Sequence, residues 1–212
     1  MRLFKYLKIF SSIAILPFSA IIFFKIYQLH DFTYLDFLIL LLGYFCADIF
    51  SGIVHWVGDT FGDENTPFWG KHFIEPFRVH HTDPKYMTRI PLWENLGTSC
   101  IASLSLQSGL IYLLTATNPT SQTLHIYLFL NTLFLMTAIS NFFHRYAHIA
   151  SNDVPTLIKW LQNKHFILNP KSHRIHHKSP YDTHFCVTNG WANTVLEKVN
   201  FWTTVKKIFF KG

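Results

Sequence analysis

The chain is short of charge. Asp, Glu, Lys and Arg make up 14% of its 212 residues, against roughly a quarter in soluble domains, so it has too little polar surface to coat a water-soluble fold. Cysteine is scarce as well. Cys46, Cys100 and Cys186 are odd in number, widely spaced and without a C-x-x-C pair, which excludes a disulfide framework and a zinc ribbon. The chain has no flavin or nicotinamide fingerprint, so any electrons it uses come from a separate protein. It also lacks H-E-x-x-H, and no glutamate stands beside a histidine where a hydrolytic zinc site needs a general base. No nucleic-acid motif accompanies the net charge of +6 and pI of 9.2. Anionic lipid headgroups are the better match for that charge.

What remains is apolar and aromatic: half the residues are hydrophobic and 22 are Phe. Four runs, 9–29, 32–57, 96–117 and 124–143, are long enough to cross a hydrocarbon core of about 30 Å as helices. The expected architecture is all-α: one membrane-embedded domain over 1–212, four transmembrane helices and a histidine-rich cap. The first run follows a basic "MRLFKYLK" but continues past the small residues of "FSA" to Phe24, so a retained helix is expected, not a cleaved signal peptide. Pro17 is expected to kink it. Three Lys/Arg precede the first run, four lie between the second and third and ten follow the fourth, with Lys25 alone on the other side. By the positive-inside rule both termini and the segments 55–95 and 144–212 face the cytoplasm. Eleven of the thirteen histidines share that side, and only His30 and His125 do not.

The second run ends with His55 and Asp59, the fourth with His144 and His148. Spacing of i,i+4 stacks two side chains on one helix face, where they can chelate one ion. After each pair the chain repeats itself: "KHFIEPFRVHHTDP" at 71–84 and "KHFILNPKSHRIHHKSP" at 164–180. Each half thus offers a helix-end pair and a vicinal pair, His55, Asp59, His80 and His81, then His144, His148, His176 and His177. The second copy adds His173. Four ligands satisfy a structural zinc and three a catalytic one, so this supply points to two metals. Imidazole suits zinc, copper, nickel or iron; ligand number and the bilayer setting fit a di-iron centre acting on lipid.

The string D48-x3-G52-x2-H55-W56-x2-D59-T60, "PFRVHHTDP" with "MTR", N141-x2-H144-x3-H148, "KHFIL…HRIHHKSP…FC…GW.N" and "LEK..FW" resembles the plasmanylethanolamine desaturase family, which includes bacterial and plastid lipid desaturases. The resemblance runs from about Ala47 to Phe209. It implies a membrane oxidoreductase that uses O2 and two electrons to convert an sn-1 alkyl ether into the vinyl ether of a plasmalogen. It also implies two Fe ions held by His55, Asp59, His80, His81, His144, His148, His173, His176 and His177, with His165 as a ligand or a support for one. The implied partners are a phospholipid with an alkyl-ether or acyl chain, the membrane, and an electron donor such as cytochrome b5, ferredoxin or a reductase. The chain departs from the family at Ser172, where a further histidine is usual, at Leu96, and at Tyr181-Asp182-Thr183-His184, which exchanges an aromatic and an imidazole. His184 is left out of the ligand set for that reason.

Asp48 lies seven residues before His55, inside the membrane run, where a carboxylate costs at least about 2.5 kcal/mol unless partnered. It either supports a ligating imidazole or bonds Asn131 or Ser140. Arg78 and Arg174, two residues before the vicinal pairs, either support the site through phosphate contact or form ion pairs, Arg78 with Asp83 or Glu75. Trp56 is a candidate wall beside the metals, the tail "FWTTVKKIFF" suits a membrane surface, and Cys186 reads as packing. A fatty acyl-lipid desaturase is the alternative within the family. A zinc hydrolase and a haem electron carrier each leave most of the histidines unused, and for a metal transporter the third and fourth runs show no line of ionisable residues through the bilayer.

Overall fold

A computed structural model describes residues 2–209. Every regular element among them is helical. Four helices are long and apolar enough to cross a membrane: α1 (Arg2–Leu29), α2 (Tyr34–Thr60), α5 (Leu92–Ala116) and α6 (Ser121–Ala147). They fit an integral membrane protein. Between α2 and α5 lie a π-helical turn (Gly70–Ile74), α3 (Glu75–Thr82) and α4 (Tyr86–Arg89). Beyond α6 come α7 (Thr156–Asn163), α8 (Pro170–His176), α9 (Trp191–Lys198) and α10 (Phe201–Phe209). The long helices outrun the apolar stretches that mark them in the sequence. Helix α2 continues through Gly58, Asp59 and Thr60, and α6 through His144 to Ala147, because backbone hydrogen bonding does not stop where hydropathy falls. Helix α1 likewise starts at Arg2 and runs unbroken through Pro17.

The chain forms two compact units. The first holds residues 1–47 and 91–139. Its core is Ile22, Ile26, Leu110, Leu114, Leu124, Tyr127 and Leu128, while Phe10, Ile13, Phe24, Leu38 and Tyr112 stay exposed. Helices apolar on both faces belong in lipid. Contacts inside such a bundle rest on close packing and buried polar bonds. Gly97 leaves room for the stem of Lys8, whose ammonium reaches Glu94 at 2.5 Å. Asn131 donates to the Ser19 carbonyl at 3.2 Å and accepts from Gln107 at 3.1 Å.

The second unit holds residues 48–90 and 140–212 and carries every residue of the metal-binding candidate. Its organising feature is Asp48, fully buried. One carboxylate oxygen accepts the backbone N–H groups of Thr188, Asn189 and Gly190 at 2.9–3.0 Å, and the other accepts that of Ala192 at 3.0 Å. These N–H groups lie around the start of α9, where free donors favour an anion, and Gly190 takes the positive φ of 78° that the cap needs. Ser51 accepts from Val187 N–H at 3.0 Å, and Asn193 bonds both the N–H and the C=O of Cys186 at 2.9 Å. Gly52 lets this segment approach, since a Cβ there would sit 2.5 Å from Cys186 Sγ. Residues 185–190 are thereby laid against α2. The partners found for Asp48 are thus backbone N–H groups, where the sequence suggested an imidazole, Asn131 or Ser140: a carboxylate in an apolar setting is satisfied best by several backbone donors at once.

Candidate metal centre

Helix α2 presents His55 and Asp59 one turn apart, and α6 carries His144, with His148 just past its end. Helix α3 starts with Pro76 in its first turn, where a missing N–H costs nothing, and packs Phe77 against Gly58, where a Cβ would meet the ring at 2.5 Å. That contact brings His81 to Asp59 and His80 to His55. Helix α8 is capped by Asn169, whose side chain accepts from Lys171 N–H at 2.8 Å. It delivers His173, His176 and His177.

These side chains fall into two adjoining groups that could each hold a metal ion, one of His55, His80, His81 and His176, the other of His80, His144, His148, His173 and His177. In the first, Asp59 Oδ2 lies 3.0 Å from His81 Nε2 and 3.5 Å from the Nε2 atoms of His55 and His176. In the second, Nε2 atoms face one another at 2.8 Å (His144–His173), 3.0 Å (His148–His173), 3.0 Å (His173–His177) and 3.2 Å (His144–His148). Each group draws on both halves of the duplicated pattern. The vicinal pair on α8 is divided, His176 going to one group and His177 to the other, while His80 reaches both and His81 only the first.

The donors suit a cation. His55 Nδ1 faces the Phe185 carbonyl at 3.1 Å, His80 Nδ1 that of Phe77 at 2.7 Å and His176 Nδ1 that of Thr183 at 2.8 Å. A carbonyl only accepts, so Nδ1 carries the proton and the Nε2 lone pair is left to point inward. Those three Nε2 atoms, with Asp59 Oδ1, are buried and have no hydrogen-bond partner, which is costly unless an ion completes them. Burial holds His80 and His173 well below the usual imidazole range and takes His148 and His176 to about 3 and His177 to about 4, neighbouring imidazoles adding to the effect. They are therefore neutral near pH 7, the form that ligates metal. With metal–nitrogen bonds of about 2.1 Å, two donors at a right angle stand about 3.0 Å apart and two at a tetrahedral angle about 3.4 Å. The Nε2 separations in the second group match the right angle.

Beside the first group lies a cavity of about 820 Å³. Asp59 and His81 form part of its wall, Trp56, Phe185 and Trp202 supply apolar surface, and Arg78, Lys206 and Lys207 supply positive charge. Trp56 is thus a wall residue, as its place beside His55 suggests. Trp202 is one that the sequence marks only as an interfacial aromatic.

His165 belongs to neither group. It is exposed, with φ of 57°, and its carbonyl accepts the Trp191 indole N–H at 2.6 Å. Arg78 donates to the carbonyls of Gly58 at 3.2 Å and Gly62 at 3.1 Å, and Asp83 pairs with Arg89 instead. Arg174 is exposed, about 100° round the helix from His173. His184 stands outside both groups, with Nδ1 2.8 Å from the Thr183 hydroxyl. The three carbonyl orienters, Phe77, Thr183 and Phe185, escaped the sequence reading because any residue type supplies a carbonyl.

Residues 44–211 match the family model for the lipid desaturase domain. The chain is 39% identical over 170 residues to a plasmanylethanolamine desaturase of Myxococcus xanthus, covering 79% of this chain and 58% of that protein. It is 37% identical over 168 residues to plasmanylethanolamine desaturase 1 of Mus musculus, covering 78% and 62%. With a probable fatty acid desaturase of Acanthamoeba polyphaga mimivirus it shares 30% over 166 residues, covering 78% of each. No solved structure matches. The chain belongs to the lipid desaturase domain family, and it spans about three fifths of the length of the two plasmanylethanolamine desaturases.

Proposed function

We propose that this protein is an O2-dependent lipid desaturase with two irons, and that its substrate is an ethanolamine phospholipid whose sn-1 alkyl ether becomes a vinyl ether. One observation carries the reading: two adjoining groups of neutral, inward-facing imidazole donors, sharing His80 and including one carboxylate, beside an aromatic cavity. The names of the M. xanthus and mouse relatives support the ether substrate, and the mimivirus relative keeps an acyl chain as the second reading.

In this reading His55, Asp59, His81 and His176 hold one iron and His144, His148, His173 and His177 the other, with His80 available to either. Iron supplies the power to take hydrogen from an unactivated alkyl carbon with O2, which no side chain has. The protein does the rest. The Nδ1–H bonds to Phe77, Thr183 and Phe185 keep three imidazoles in one tautomer and orientation. Trp56, Phe185 and Trp202 bind the chain and exclude water, and Arg78, Lys206 and Lys207 attract the headgroup phosphate. Two hydrogens leave neighbouring carbons and, together with one O2, two electrons and two protons, end as two waters. A separate redox protein delivers the electrons. The Lys/Arg distribution supports a cytoplasmic centre and cytoplasmic termini.

The test is lipid analysis of an aerobic, plasmalogen-free host that makes alkyl-ether phospholipid and expresses the chain, His80→Ala or His176→Ala. Acid-labile vinyl ethers are expected with the intact chain alone. Unsaturated acyl chains in their place would select the second reading. One redox-inert ion per chain with O2-independent lipid turnover would overturn both.

A further inference from the structure

A second set of converging donors lies in the first unit, on other residues. Asp36 stands in the first turn of α2 and is fully buried. Its Oδ2 accepts from the Thr33 N–H at 2.7 Å and the Thr33 hydroxyl at 2.9 Å. That is a reach back from the third helical position to the cap, and it accounts for Oδ2. Two imidazoles also face the carboxylate: His30 Nε2, from the link between α1 and α2, lies 3.0 Å from Oδ1 and 3.1 Å from Oδ2, and His125 Nε2, from the start of α6, lies 3.4 Å from Oδ1. The two rings meet edge to face, with centroids 4.9 Å apart.

A hydrogen bond from His30 to Asp36 explains one imidazole but not the other. His125 Nε2 is shielded from solvent and has no hydrogen-bond partner. Among the described residues, no lysine or arginine forms an ion pair with Asp36. The three ligand atoms lie within 4.8 Å of one another, and the separations of 3.0 and 3.4 Å span what donors about 2.1 Å from one ion would show at right and tetrahedral angles. His30 Nδ1 stands 3.4 Å from the Ser121 hydroxyl, an acceptor for the Nδ1 proton once Nε2 is a ligand.

We propose that His30, Asp36 and His125 bind a zinc-class divalent cation, with water completing the coordination. Two imidazoles and a carboxylate are a zinc donor set. The ion ties the link after α1 and the first turn of α2 to the second turn of α6. On α2 the proposed ligand Asp36 stands in the first turn and Asp59 in the last. His30 and Asp36 precede the segment matched by the family model, and His125 lies within it.

The full-length protein, purified in detergent and equilibrated with zinc, is freed of excess metal by gel filtration, and zinc and iron per chain are counted by mass spectrometry. The intact chain is expected to retain one more zinc than His125→Ala at equal iron content and equal lipid product. Zinc should raise its melting temperature and leave that of the variant unmoved. His125→Ala keeps the Thr33 cap and the His30 bond, so its fold does not depend on the ion. His30→Gln, which still donates to Asp36, reads the same count independently. Equal zinc retention in the intact chain and either variant overturns the proposal. Because the comparison leaves every donor of the main centre in place, its outcome is independent of whether that centre holds iron.

Discussion

Asp48→Asn tests whether the metal centre is built from its support outward. The carboxylate accepts four buried N–H groups, three on one oxygen and one on the other. In the amide the carbonyl oxygen keeps the three bonds to Thr188, Asn189 and Gly190, but the NH2 group then confronts the Ala192 N–H, donor against donor. One buried donor loses its partner, at about 1–3 kcal/mol, and the other three bonds lose their charge assistance, roughly half their strength. A net loss of about 2–3 kcal/mol follows, which is about a 30- to 150-fold larger population of opened states for the 187–192 segment. Hydrogen exchange of the detergent-purified protein reads this directly: those amides should exchange faster by that factor, while amides of the first unit keep their rates. Because Phe185 leads this segment and its carbonyl orients His55, metal retention in the first group should fall alongside. Unchanged protection at 187–192, or lost protection with undisturbed metal binding, would refute the chain of support from Asp48 to His55.

Gly52→Ala should destabilise the same contact, because its Cβ would fall 2.5 Å from Cys186 Sγ; Cys186→Ala in the same chain should recover much of the lost melting temperature, which a thermal scan checks. His177→Ala removes a donor from the second group only, and His165→Ala removes none, so metal analysis should show a reduced count for the first variant and the intact count for the second. Replacing Lys206 and Lys207 together with Ala should raise the apparent KM for phospholipid several-fold with little change in kcat, measured in mixed micelles, since both line the cavity and neither is among the proposed metal donors. A matched fall in kcat would instead place them closer to the chemistry.

The legible features are local ones. Apolar runs, the i,i+4 pairs His55/Asp59 and His144/His148, and the H-x-x-H-H box of α8 all follow from helical periodicity and hydropathy, which depend on neighbours within a few residues. The four long helices accordingly stand over the runs that the sequence marks, and eight of the histidines proposed as ligands, with Asp59 beside them, come together in the two groups. His165 does not, because its motif match carries no information about which way an imidazole points at a residue with positive φ.

The amino-acid order alone determined that this chain enters lipid with a large surplus of imidazoles at its helix ends. It could not say how those imidazoles are shared. Neighbouring helical residues point about 100° apart, so His176 and His177 diverge into different groups, and only the approach of α8 and α3 to α2 decides which donor meets which. Asp48 is the same lesson in another form: its partners are backbone N–H groups some 140 residues onward, and backbone amides leave no signature in residue type.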